Sequence, residues 1–246
     1  MAIIIETHNG IHVLRDDLLI GGTKSILMPL LDNDFHIKEF VYASPVYGGF
    51  QIALSAYCKS VGKKATIFCA KRKLTHANTL ACIEYGANII EVYPGYLTCV
   101  EKKAREYCIG KTNNVKKIAF GAKSNETIEL IAHRMRQVIH HFNQQIDEIW
   151  VAVGSGTLIT GILRGLKSSH VNVKVFGVQV GADIEEHIIN EYENLTIIKY
   201  PKPFEYESKL QINFKSMKNY DLKAFELCLD YNKGCSNKTI LFWNVM

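Results

Sequence analysis

The chain has 246 residues, 48% apolar and 22% charged, with a formal net charge of +5. That length allows one large domain or two small ones, and the composition excludes a disordered chain. The cations are scattered rather than massed, which argues against a nucleic-acid partner, and no apolar run approaches the roughly 20 residues of a membrane span.

The first informative stretch is DDLLIGGTKSIL, residues 16–27. Gly21, Gly22 and Thr23 lead to a single Lys24, and aliphatics resume at Ile26 and Leu27. Taken alone, this is equally a helix start capped by Thr23 with Lys24 in solvent. From there strand and helix patterns alternate. EFVYAS (39–44) is a short β-rich run, followed by a glycine turn and the helical stretch FQIALSAYCKSVG. KATIFCA (64–70) predicts a strand, THANTLACIEYG a helix closed by Gly86, NIIEVY (88–93) a strand, YLTCVEKKAREYC a helix and KKIAFGA (116–122) a strand. Continuous apolar strands between helices mean a parallel sheet covered on both faces.

After a break near 121–126 the pattern restarts. ETIELIAHRMRQVIHHF predicts a long helix whose apolar side runs through Ile128, Ile131, Met135 and Ile139. EIWVAVGSG predicts a buried strand, LITGILRGL a helix, VKVFGVQVG a strand, LKAFELCLDYN a helix and TILFWNV a last strand. The start, MAIIIETHNG, is too short and too soon broken for a signal peptide, so the expected compartment is the cytoplasm. Cys58, Cys69, Cys82, Cys99, Cys108, Cys228 and Cys235 show no CxxC pair and no metal spacing, and an odd count cannot pair fully. They are expected as mostly buried thiols, with no metal site.

Three glycine turns hold the candidate chemistry. In VAVGSGTLITG (151–161) a strand runs into Gly154-Ser155-Gly156-Thr157 and a helix, so backbone amides and a helix amino end can meet a phosphate. Taken alone it is also a tight strand–helix turn. In ASPVYGGFQIALS (43–55), Tyr47, Gly48, Gly49 and Gln51 can meet a carboxylate, or simply form a βα loop. The third turn carries Lys24. Together the three fit pyridoxal phosphate: a lysine for the Schiff base, a phosphate cradle and an amide-lined carboxylate site.

The motifs are then specific. Arg15-Asp16-Asp17-Leu18 with Gly21-Gly22-Thr23-Lys24, the loop Gly154–Gly161, the segment 44–52, Tyr220-x-x-Lys223-Ala224 and Leu241-Phe242-Trp243 occur in this order over nearly the whole chain. The chain resembles the tryptophan-synthase-β-like, fold type II, pyridoxal-phosphate enzymes, nearest the aminocyclopropane-carboxylate deaminase and D-cysteine desulfhydrase branch. The resemblance implies an α/β fold of two domains with parallel sheets flanked by helices. The larger would be 1–37 plus 121–246 and the smaller 38–120. It also implies a homodimer. Lys24 would bind the cofactor and act as base or acid at the α-carbon of a small amino acid or amine, through an external aldimine and a carbanion. Gly154, Ser155, Gly156 and Thr157 would hold the phosphate. Asp221 would meet the ring nitrogen as a carboxylate, and Tyr220 would lie over the substrate; otherwise the two merely start a helix. Thr75, His76, Tyr93 and Tyr96 are candidates to line the pocket.

Some residues depart from the family pattern. Gly49 stands where the family has a turn asparagine, and Ser25-Ile26-Leu27 follow the lysine where the family has an arginine or similar residue. Asn244-Val245-Met246 stands where the family continues through Thr-Gly-Gly. The reaction is therefore open among a deaminase, lyase or isomerase, a cysteine-synthase-like β-elimination or β-replacement, and a cofactor-binding homologue without turnover.

Overall fold

The computed structural model describes residues 1–111, 113–120, 124–142, 144–181, 184–234 and 237–246. Cys235 and the end of the expected strand KKIAFGA, at Gly121 and Ala122, lie outside these residues. The chain splits into two compact units, residues 1–18 with 124–246, and residues 19–123. The sequence placed these divisions at 37/38 and 120/121. Residues 19–37 go with the smaller unit because their 3-10 helix, Gly22–Leu31, packs on the helix α1 described below.

The larger unit opens with a feature the sequence reading missed. β1 (Ile5–His8) and β2 (Ile11–Arg15) form an antiparallel hairpin. Its turn is Asn9-Gly10, both with positive φ, 52° and 78°. Asn-Gly is the residue pair that tolerates this turn best, so the signal was present in the sequence.

The smaller unit is a four-stranded parallel sheet. Its strands are β3 (Glu39–Ala43), β4 (Lys64–Ala70), β5 (Asn88–Val92) and β6 (Val115–Ile118), in the order β5-β4-β3-β6. The connections are α1 (Phe50–Ser60), α2 (Ala77–Glu84) and α3 (Leu97–Cys108). β3 is buried along its whole length, as a central strand covered on both faces must be.

The larger unit continues with α4 (Asn125–His141), β7 (Glu148–Val153), α5 (Thr157–Ser168), β8 (Lys174–Gln179), α6 (Glu186–Glu191), β9 (Leu195–Lys199), α7 (Asp221–Tyr231) and β10 (Ile240–Asn244). Its sheet runs β1-β2-β10-β7-β8-β9, parallel except for β1. Trp150, Phe225, Phe242 and Val178 lie in the core between this sheet and α7. The buried side of α4 uses Ile128, Ile131, Met135 and Val138, with Ile139 only partly buried. α5 lies close against it: a Cβ on Gly161 would fall 2.4 Å from Ile131 Cγ2, and one on Gly165 2.7 Å from Met135 Cβ. Gly161 therefore packs helices and stands apart from the Gly154–Thr157 loop.

Six cysteines are described, all free: Cys58, Cys69, Cys82 and Cys228 are buried, Cys99 and Cys108 partly so. No helix is long and apolar enough to cross a membrane, and no metal-binding cluster of His, Cys, Asp or Glu occurs among the described residues.

Candidate active site

In the smaller unit, three expectations fall together. Gly21 has φ 81°, and a Cβ there would lie 2.5 Å from Ala53 N and 2.8 Å from Gly49 O. Only glycine fits both the backbone angle and the gap. The Lys24 turn is thereby docked on the amino end of α1, against the Gly48-Gly49 loop. Thr23 is buried, and Gly21 rather than Thr23 takes the position before the 3-10 helix. Lys24 is partly buried, and desolvation brings its ammonium down to about 8. A buried amine that sheds its proton easily is the state that attacks a carbonyl.

Gln51 is wholly buried and holds the neighbouring loop. Its Nε2 donates to Val46 O and Gly48 O at 3.0 Å and to Pro45 O at 3.3 Å. Its Oε1 is enclosed without a hydrogen-bond partner. Ser44 Oγ adds a bond to Pro45 O at 2.9 Å. The loop is thus stiff before any ligand arrives. Tyr47 projects from it, 39% exposed, and meets His76 edge-on at 4.8 Å between ring centroids. His76 caps α2, its Nδ1 accepting from Asn78 N at 3.2 Å. Thr75 is exposed, and Tyr93 and Tyr96 point largely into solvent, 85% and 73% exposed.

In the larger unit, the second group of expectations falls together. Gly156 has φ 79° and precedes α5. The first-turn amides of α5 face outward with the positive end of the helix dipole. Ser155 is exposed and Thr157 buried, with their hydroxyl oxygens 3.1 Å apart. A Cβ on Gly154 would lie 3.1 Å from Tyr220 Oη, so the tyrosine lies against this loop. Tyr220 Oη reaches Ala152 O at 3.4 Å. Burial first, then the neighbouring Asp221, pushes the phenol upward, so it keeps its proton.

Asp221 is 0% exposed at the head of α7. Its Oδ2 accepts from Met246 N at 3.0 Å, and its Oδ1 is enclosed with no hydrogen-bond partner. Burial, with the charge of Asp17 in addition, pushes the carboxyl well above its usual range against the pull of the Val245 and Met246 amides. Burial thus favours the neutral acid at Asp221 over the carboxylate that the sequence suggested. A buried acid with one open oxygen fits a heterocyclic nitrogen, since the two share a single proton.

The surroundings of Asp221 were only partly legible. Arg15 Nε and Nη2 both donate to Asp17 at 2.9 Å, and Arg15 also bonds Glu6. Asp16 accepts from Arg134 Nη2 at 2.7 Å and from Trp243 Nε1 at 3.0 Å. Arg134 was missed; its signal was a charge at a buried helical position, between Ile131 and Val138. Lys223 is fully buried, donating to Pro203 O at 2.8 Å and Phe204 O at 3.2 Å. Lys223 and the Arg15–Asp17 stretch thus serve structure, although they are part of the motifs that signalled a cofactor.

Comparison with known proteins bears on the family and the fold. A family model described as pyridoxal-phosphate dependent enzyme matches residues 36–220, a span that begins beyond Lys24. No curated protein matches the chain. Among solved structures the chain is similar to an ACC deaminase homologue, with 18% identity and a TM-score of 0.81, covering 96% of this chain and 83% of that one. It is similar to a hydrogen sulfide-producing enzyme from Fusobacterium nucleatum, with 13% identity and a TM-score of 0.77 over 99% and 94%. The same holds for an O-acetylserine-dependent cystathionine beta-synthase from Helicobacter pylori, at 16% and 0.75 over 99% and 91%. At such identities the likeness is one of fold.

Proposed function

The chain belongs to the pyridoxal-phosphate dependent enzymes, and from that premise we propose that it acts at the α-carbon of a small amino acid or amine, as a deaminase, lyase or isomerase. Pyridoxal phosphate supplies a carbonyl for the amine and a ring that withdraws electrons. Lys24 holds the cofactor through its amine and then carries a proton to or from the α-carbon. The Gly154–Thr157 loop binds the phosphate with amides and hydroxyls at the α5 amino end. Asp221 presents its open Oδ1 to the ring nitrogen. Tyr220, protonated and against the Gly154 loop, delivers its proton to the substrate. Tyr47, Gly48 and Gly49 receive the substrate carboxylate; Gln51, expected from the sequence to join them, instead holds their loop, its Nε2 being committed to the carbonyls of Pro45, Val46 and Gly48. A homodimer in the cytoplasm belongs to the same proposal.

The observation that carries this reading is the Asp221 carboxyl, 0% exposed and with one oxygen unbonded. Such an oxygen costs about 1–3 kcal/mol unless a ligand atom meets it. An acid at the ring nitrogen strengthens the electron sink, which favours the deaminase-like class over β-replacement.

Borohydride reduction and peptide mapping of the cofactor-loaded protein test the first role: the reduced adduct is expected on Lys24. An adduct on another lysine, or a protein that takes up no cofactor, ends the reading. Asp221→Ser should keep cofactor attachment but lose turnover by about a hundredfold or more, and Tyr220→Phe should keep attachment and turn over poorly. Wild-type rates in both variants would transfer the assignment to the elimination class or to a non-catalytic homologue.

A further inference from the structure

We propose that the substrate bears a second anionic group, a carboxylate, phosphate or sulfonate distal to its amine, and that the loop after β4 binds it. The inference rests on the amino-acid chemistry just proposed and names the substrate class for that site.

β3 and β4 are parallel neighbours, so the loops after Ala43 and Ala70 leave the same edge of the sheet. Ligands of such sheets bind at that carboxyl edge. The first loop is the stiff turn before α1. The second reads Lys71-Arg72-Lys73-Leu74-Thr75-His76, exposed up to a partly buried His76. The two loops touch through the Tyr47–His76 ring contact.

The charge on this edge is one-sided. From residue 40 to 83 there is no Asp or Glu; of the six cations in that stretch Lys71, Arg72 and Lys73 follow β4 at this edge, while Lys59, Lys63 and Lys64 lie at the amino end of that strand. Elsewhere in the unit cations meet carboxylates: Lys64 and Lys111 meet Glu39, Lys103 meets Glu106 and Lys116 meets Asp34. Among the described residues, no ion pair involves Lys71, Arg72 or Lys73. The acidic groups nearest on adjoining elements are Glu84 at the end of α2 and Glu91 on β5, which is paired in register with Cys69. Three consecutive cations without carboxylate partners concentrate anions at the loop.

His76 gives the site direction. Its Nδ1 is occupied as an acceptor from Asn78 N. Burial first, then Arg72, lowers its pKa, so the ring is neutral and Nε2 carries the hydrogen. A donor on Nε2, three cations and the Tyr47 hydroxyl are chemistry for an oxyanion.

Calorimetry on the purified protein tests this without needing turnover. The ligands are matched pairs: glutamate and glutamine, O-phosphoserine and serine, cysteate and cysteine. The anionic member of at least one pair should bind about tenfold more tightly at low salt, and the pair that does so identifies the group. The advantage should shrink as salt screens the exposed cations. In the variant K71Q/R72Q/K73Q, with its fold checked by circular dichroism, the advantage should vanish while neutral ligands bind as before. Equal affinity within every pair, or an undiminished preference in the variant, overturns the inference. Heparin binding without any discrimination between paired amino acids overturns it too, in favour of a polyanion surface. Failure of the borohydride test with the anion preference intact would sink the cofactor role of Lys24 and leave the anion site standing.

Discussion

The two units treat buried polarity in opposite ways. In the larger unit the charged groups around Asp221 are locked to one another: Arg15 to Asp17, Arg134 to Asp16, Lys223 to two carbonyls. Two atoms of that set are left open, the donor Arg134 Nε and the acceptor Asp221 Oδ1. In the smaller unit burial alone lowers the Lys24 ammonium, and among the described residues the cations of the β4 loop stand outside ion pairs. A locked frame with one open acceptor suits an anchor that must not move. A desolvated amine beside stiff loops suits a group that must react. On the proposed roles, the chemistry draws on rigidity in one unit and on desolvation in the other.

The largest effect that would break this contrast comes from the locked frame. Asp16→Ala leaves the buried Arg134 guanidinium without its carboxylate, and about 3–5 kcal/mol of stability should be lost in a denaturant titration. The matching change in the smaller unit, Asp34→Ala at the more exposed pair with Lys116, should cost less than about 1 kcal/mol. Similar losses would mean the two units do not differ as described.

Gly156→Asp comes next. It forces a side chain onto a backbone at φ 79° and adds a negative charge at the α5 amino end. Cofactor affinity, followed by absorbance titration, should fall about a hundredfold in a protein that stays folded. Gly49→Asp, at φ −75° where a side chain is tolerated, should spare the cofactor and raise the KM for substrate instead. Gln51→Leu frees the three loop carbonyls that Nε2 holds, and a rise in KM of about tenfold with little change in kcat is expected.

The smallest and sharpest prediction concerns protons. The neutral amine is the nucleophile, and Lys24 sits at about 8 against an ordinary 10.5. The rate at which cofactor-free protein takes up pyridoxal phosphate should therefore climb with pH and level off above about 8. A rate still climbing steeply past pH 10 would show that Lys24 is not desolvated.

Much of this was legible because the signals are local. The parallel strands are continuous apolar runs, and EFVYA becomes a fully buried strand. The Gly154–Thr157 turn needed only a strand, two glycines and a helix to be read. Long-range effects were not legible. Nothing near Gly21 in the sequence announces that Ala53 and Gly49 O will press on it. Nor does the RDDL stretch reveal that its two aspartates serve different partners, Asp17 a neighbour two residues away and Asp16 an arginine 118 residues on. Asp221 stands at a helix start, as the sequence allowed, but the upward push on its carboxyl comes from total burial and from Asp17, neither of which a one-dimensional pattern contains.

The position of β10 has a consequence for biosynthesis. It lies between β2 and β7, in the interior of the six-stranded sheet, and it follows the other five strands of that sheet in sequence. The smaller unit is continuous in sequence and has all four of its strands by residue 118, so it can close while synthesis goes on. The larger unit holds its first hairpin and β7 apart until residues 240–244 arrive to join them. A nascent chain stalled before that point exposes two unpaired strand edges, which makes the stretch from β7 to β10 the interval in which a chaperone is most needed.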